Sequence, residues 1–143
     1  MTGVQTCALP IYQPNPGLKA ADIPKLKLKW AFGYKNVSSA FGQPTVVGGR
    51  VFVGTADGSV YSLDASTGCT YWSFKADASV RTAIRIIPGK NNRNVGYFGD
   101  MRASVYALDA DTGAQLWRTK VEQDIGRITA GVTFFNEIGR AHV

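Results

Sequence analysis

An internal repeat governs this sequence. Val60-Tyr61-Ser62-Leu63-Asp64-Ala65-Ser66-Thr67-Gly68 recurs as Val105-Tyr106-Ala107-Leu108-Asp109-Ala110-Asp111-Thr112-Gly113, and four residues after each glycine stands Trp72 or Trp117, a spacing of 45. Phe52-Val53-Gly54 matches Tyr97-Phe98-Gly99 in the same register. Trp30 lies 42 residues before Trp72, so all three tryptophans occupy one repeat position. The three-residue difference falls most simply in the polar turn from Pro88 to Asn94. Modules of this size bury their apolar faces against one another, so the repeat fixes the architecture before any single residue does.

Within each unit the local pattern is that of strands. Lys25-Leu26-Lys27-Leu28-Lys29-Trp30-Ala31-Phe32 places large apolar residues at even positions and three lysines at odd ones, a period of two that predicts a half-buried strand. Val46 to Val53 reads as two strands around a Gly48-Gly49 hairpin turn. Ala56-Asp57-Gly58-Ser59 and Ser66-Thr67-Gly68 supply two further turns. Sixteen glycines and sixteen aromatics fit an all-β chain, and no run has helical periodicity. Hydrophobic residues at 45% against 18% charged exclude a disordered tail, and no apolar run is long enough to span a membrane. The net charge of +6 is scattered, which argues against a nucleic-acid surface. The basic run from Lys19 to Lys35 reads as a solvated strand face.

The two ends stand apart. Thr6-Cys7-Ala8-Leu9-Pro10-Ile11 can be encoded by ACG TGT GCT CTT CCG ATC, and the opposite strand of that DNA, with short flanks, translates as Glu137-Ile138-Gly139-Arg140-Ala141-His142-Val143. Residues 1–11 and 137–143 are therefore expected to be translated sequencing adapter, leaving 12–136 as the domain sequence. The single histidine, His142, and one of the two cysteines, Cys7, fall in those ends. A His-based triad, a zinc site or a Cys7–Cys69 disulfide would rest on them, and none is expected. Cys69 is expected to be a buried or half-buried residue of an outer strand.

Four strands and one tryptophan in 42 to 45 residues form the pattern of a β-propeller blade. The Asp of each motif accepts hydrogen bonds within its turn, and the Trp is expected to pack on the next blade, where small residues such as Ala107 leave room. Ala107-x-Asp109-x-x-Thr112-Gly113-x-x-x-Trp117 resembles the tryptophan-docking motif of the pyrroloquinoline quinone (PQQ) dehydrogenase propellers. Ser62-x-Asp64-x-x-Thr67-Gly68-x-x-x-Trp72 is the same motif with Ser first, and Gly17 to Trp30 resembles the segment that opens such a propeller. Tyr97-Phe98-Gly99-Asp100 and Thr67 to Trp72 are most similar to the polyvinyl-alcohol dehydrogenase branch. The fold expected is thus all-β, a partial propeller of about two complete four-stranded blades with partial blades on either side. The chain would come from near the front of a longer, eight-bladed protein, with Val132-Thr133-Phe134-Phe135 as the innermost strand of its last blade. Such an open wedge is expected to fold weakly in isolation.

The resemblance implies a cofactor site over the propeller axis, near the starts of inner strands. Those starts are Ser38 to Gly42, Val80-Arg81-Thr82-Ala83 and Gly126-Arg127-Ile128-Thr129. Arg81, Thr82, Gly99, Asp100, Arg127 and Thr129 are the expected cofactor or mouth contacts, with PQQ, a tricarboxylate, as the ligand. Many alcohol dehydrogenases of this kind carry adjacent cysteines and an Arg just before the residue matching Gly42. Here Asn36 to Phe41 has neither, and Phe41 takes the place of a charged contact. No catalytic residue or metal ligand is assigned within the chain: the family's catalytic Asp, its calcium ligands and any haem c would lie beyond Asn136. The implied parent is a periplasmic enzyme oxidising an alcohol, passing electrons to an acceptor such as cytochrome c. The rival reading is a non-catalytic propeller, such as an outer-membrane protein assembly factor.

Overall fold

A computed structural model describes residues 17–89, 93–122, 125–135 and 138–140. After a six-residue 3-10 helix, Ala20–Lys25, every regular element is a strand. The first sheet is β1 (Thr45–Val47), β2 (Arg50–Gly54), β3 (Ser59–Asp64) and β4 (Thr70–Lys75); the second is β5 (Arg85–Pro88), β6 (Asn94–Gly99), β7 (Ser104–Asp109) and β8 (Gln115–Lys120). Each is an antiparallel meander with its strands in sequence order, the layout of a propeller blade. The β1–β2 turn holds two residues and the β5–β6 connection five, so the three extra residues fall where the repeat arithmetic puts them. Of that connection, 90–92 lie outside the described residues.

A third hairpin pairs β9 (Thr133–Phe135) with β10 (Ile138–Arg140). The first of these is the expected inner strand. The second lies in residues expected to be adapter and pairs antiparallel with it, Ile138 opposite Phe135 and Arg140 opposite Thr133.

The sheets meet at a seam that the repeat builds twice. In blade one, a register shift between Ser62 and Leu63 leaves a bulge just before Trp72; the same shift falls between Ala107 and Leu108, just before Trp117. Such a bulge re-aims the residue that follows it. The Trp72 indole N–H donates to the Ala110 carbonyl at 3.0 Å, and its ring covers Gly113, where an added Cβ would lie 2.6 Å from Cδ2. Gly113 also has φ +77°, a backbone that disfavours any side chain. Trp30 makes the same joint one blade earlier, donating to Ala65 O at 3.1 Å and covering Gly68. Two residues further on, Phe74 packs edge-on against Tyr106 and Phe32 against Tyr61. Phe52, Val60, Val80, Ile84, Phe98, Tyr106 and Leu108 fill the seam interior, with Trp72, Phe74 and Ile86 packed on them.

Two expectations are corrected here and a third is sharpened. The segment 25–32 forms no strand: Lys25 ends the helix, and residues 26–34 carry no ladder. A strand needs a partner, and this one docks through Trp30, Phe32 and Tyr34 alone, leaving Leu28 85% exposed. The tryptophan packs on the next blade as expected, with its ring over the turn glycine, while Ala107 lies across the ladder from Trp117 of its own blade. Cys69 is exposed, because the left-handed Gly68 turn lifts it to the outer rim ahead of β4.

The turn aspartates behave as the motif requires. Asp64 Oδ1 accepts from Ser66 N, Thr67 N and Thr67 Oγ1 at 2.7–3.0 Å, and Asp109 Oδ1 accepts from Asp111 N, Thr112 N and Thr112 Oγ1 at 2.9–3.0 Å. The Tyr71 hydroxyl, donating at 2.6 Å, and the Thr67 groups lower Asp64 from 3.8 to about 2. Asp109 is also lowered: burial pulls upward, but the Thr112 and Asp111 hydrogen bonds outweigh it. A depressed folded-state pKa adds stability that is complete above the unfolded value and disappears as pH falls through the folded one. Acid titration of the full-length protein is therefore expected to lose stability between about pH 4 and pH 2, and Asp64→Asn to flatten that slope. At neutral pH, Trp72→Ala and Gly113→Ala are each expected to cost about 3 kcal/mol in denaturant melts. The double variant should cost well under their sum, because both open one joint.

Candidate functional site

The three segments expected at the mouth are crossings rather than strands, and each is tied to the hairpin of the neighbouring blade. Ala56 N donates to Ser39 O at 3.2 Å, and Met101 N to Ser79 O at 3.0 Å. Val80 N donates to Thr55 O at 3.0 Å, and Ile128 N to Asp100 O at 3.1 Å. These bonds set the register around the mouth: Phe41, Arg81 and Thr129 hold equivalent places on successive blades, as do Ser39, Ser79 and Arg127.

Glycine makes these crossings close. A Cβ on Gly54 would lie 2.5 Å from Val80 Cγ1, and one on Gly99 would lie 2.4 Å from Ile128 Cγ2. Both glycines recur in the repeat, yet reading them only as strand register hides the aliphatic plug from the next segment. Val80 and Ile128 are fully buried in these notches.

Three of the six expected contacts belong to this joint. Thr82, 1% exposed, donates its hydroxyl to Gly99 O at 3.2 Å and accepts from Gly99 N at 3.1 Å, bridging the two segments with one side chain. Asp100 is fully buried, its Oδ1 accepting from Arg102 N and Ser104 N at 2.9 Å and its Oδ2 from the Tyr106 hydroxyl at 2.9 Å. Thr55 holds the equivalent place in blade one, together with Asp57, which lies well below the usual carboxylate range: burial would raise it, but Lys75, Thr55 and Ser59 hydrogen bonds prevail. Burial, chiefly, raises Tyr106. Arg118 reaches Ser104 Oγ at 3.3 Å, pairs with Asp77 and lies 5.6 Å over the Tyr106 ring, closing this polar network from outside.

The other three face solvent. Arg81, Arg127 and Thr129 are exposed, and the Arg81 guanidinium carbon lies 4.4 Å from the centre of the Phe41 ring. Ser79 Oγ, two residues before Arg81, is buried without a hydrogen-bond partner. Arg81 and Arg127 thus present guanidinium N–H donors, and Thr129 a hydroxyl, to solvent, the group types that pair with carboxylates through charge-assisted hydrogen bonds. Among the described residues no group of three or more His, Cys, Asp or Glu side chains converges as a metal site, and no helix is long and apolar enough to cross a membrane. Residues of β1, β5 and 131–133 line a cavity of about 280 Å³ that includes Thr45, Arg85 and Thr133.

This is the architecture of a PQQ-type propeller, built from tryptophan-docked blades with a polar mouth over their inner strands. A family model described as outer membrane protein assembly factor BamB matches residues 13–126, and the chain belongs to that family of PQQ-repeat propellers. It is 53% identical over 76 residues to a polyvinylalcohol dehydrogenase of Pseudomonas sp, covering 53% of this chain and 12% of that protein. It is 46% identical over 92 residues to the polyvinylalcohol dehydrogenase of Sphingopyxis sp. (strain 113P3), covering 62% and 14%. The chain thus spans about one-eighth of the length of these relatives. Its fold is similar to that of the quinohemoprotein alcohol dehydrogenase from Comamonas testosteroni, with a TM-score of 0.69 at 22% identity over 82% of this chain and 19% of that one.

The Thr82 bridge is directly testable. In urea melts of the full-length protein, Thr82→Val is expected to cost about 1–3 kcal/mol, since it strands the buried Gly99 N–H and C=O, while Thr82→Ser keeps most of that stability. Equal behaviour of the two variants would contradict the bridge.

Proposed function

We propose that the chain is part of a periplasmic PQQ-dependent dehydrogenase that oxidises alcohols, polyvinyl alcohol among them. In this reading 12–136 come from the front of an eight-bladed propeller and 1–11 and 137–143 are translated adapter. The 53% identity to a polyvinylalcohol dehydrogenase carries the proposal, since it runs well above what a shared fold alone requires. The mouth supports it independently: Arg81, Arg127 and Thr129 offer charge-assisted donors to a tricarboxylate. Thr82, Gly99 and Asp100 serve such a ligand indirectly, by holding the crossings that carry Arg81 and Thr129 at fixed heights. When bound, PQQ supplies a two-electron acceptor for alcohol oxidation, and the protein supplies its orientation and surroundings. Calcium, the catalytic base and the route to an acceptor such as cytochrome c, with any haem c, belong to sequence outside this chain.

A second reading has its own support. The matching family model carries the description of an assembly factor, and the buried Asp100 and Thr82 would equally serve a scaffold. The full-length protein, reconstituted with PQQ and calcium, separates the two in a dye-linked assay. Oxidation of polyvinyl alcohol or a small secondary alcohol that needs PQQ and is lost on chelation is the expected result. A folded propeller that neither binds PQQ nor oxidises alcohol would favour the scaffold.

A further inference from the structure

The pairing of Phe41 with Arg81 has no evident structural purpose. Phe41 is a large apolar side chain left 56% exposed, and among the described residues Arg81 has no carboxylate within ion-pair reach. The nearby Asp77 is already taken by Arg118. What Arg81 has instead is the Phe41 ring, 4.4 Å from its guanidinium carbon. The backbone makes this contact reproducible: a Cβ on Gly42 would lie 3.0 Å from Thr82 O and 3.6 Å from Arg81 O, so the two crossings touch beside the pair. Thr82, locked to Gly99, fixes the residue next to Arg81.

An aromatic ring attracts a guanidinium and limits its rotamers without consuming its N–H donors. A cation held in this way, exposed and unpaired, is poised for a carboxylate from solution rather than for one of the protein's own. The unpartnered Ser79 hydroxyl lies two residues away on the same crossing.

We propose that Phe41 and Arg81 form a carboxylate-reading platform, in which Arg81 takes one carboxylate of a flat, polycarboxylate quinone through paired hydrogen bonds and Phe41 holds the guanidinium in place. This rests on the PQQ reading above and adds to it the residue that selects the acid groups and the residue that positions it. The aromatic ring is a positioning residue: it acts on the ligand through Arg81.

Equilibrium binding to the full-length protein tests this, with quenching of intrinsic fluorescence as the readout. The two probes are PQQ and its trimethyl ester, which lacks free carboxylates. Arg81→Gln is expected to weaken PQQ about 10- to 100-fold, the loss of one charged hydrogen-bonded pair, while leaving the ester unchanged. Phe41→Leu should weaken PQQ by a few-fold, and Phe41→Tyr should restore it. Both positions are exposed, so urea midpoints should stay at the wild-type value. Wild-type binding of PQQ with Arg81→Gln equal to it would overturn the platform and leave the cofactor reading intact. A wild-type protein that binds no PQQ would overturn both.

Discussion

An indole ring laid over a turn glycine, with its N–H on a carbonyl three residues before that glycine, is the joint on which the rest of this structure depends. Trp72 on Gly113 and Trp30 on Gly68 are the same joint one blade apart. The ring needs a glycine beneath it for two reasons that coincide: the turn has positive φ, and no space remains for a Cβ. The turn in turn depends on an aspartate that ties its amides together, which is why Asp, Thr, Gly and Trp travel as one unit along the chain. Docking through this unit does not require a ladder. Residues 26–34 hold their place on the first sheet without forming a strand, because Trp30 and Phe32 make the contacts that Trp72 and Phe74 make on the second.

A second joint, on the inner side, sets the mouth. Val80 against Gly54 and Ile128 against Gly99 plug each crossing into the preceding hairpin, and Thr82 stitches one of them by hydrogen bonds. The outer joint fixes how blades stack, and the inner joint fixes which residues rise to the rim. Arg81 reaches solvent between the buried Val80 and Thr82, and Thr129 follows directly on the buried Ile128. The chemistry of the mouth is therefore a consequence of packing: rigid crossings present a cation, a ring and a hydroxyl at matched positions on successive blades.

Much of this was legible in the sequence, and for a physical reason. Blade seams are built from one recurring contact, so the residues that make it repeat in kind and spacing, and hairpin turns announce themselves through Gly48-Gly49 and Asp57-Gly58. The strand expected at 25–32 failed because alternation reports which face is apolar and says nothing about whether a partner strand exists. The role of Asp100 was equally hidden. Register places it at the mouth, but only coordinates reveal that its carboxylate turns back onto Arg102, Ser104 and Tyr106. The Gly54 and Gly99 notches left a signal, their shared spacing of 45, whose meaning depends on Val80 and Ile128 arriving from the following segment. Phe41 on Arg81 left none, since two crossings separated by a full sheet meet only in the folded chain.

The most direct measurement of the central claim is hydrogen exchange at the Trp72 indole N–H, followed alongside the backbone amides of β3 and β7 in the full-length protein. If the tryptophan joint binds the blades into one cooperative unit, the indole and both sets of amides open with the same free energy, and Gly113→Ala lowers all three together. A Trp72 indole that exchanges freely while β3 and β7 stay protected would contradict the account.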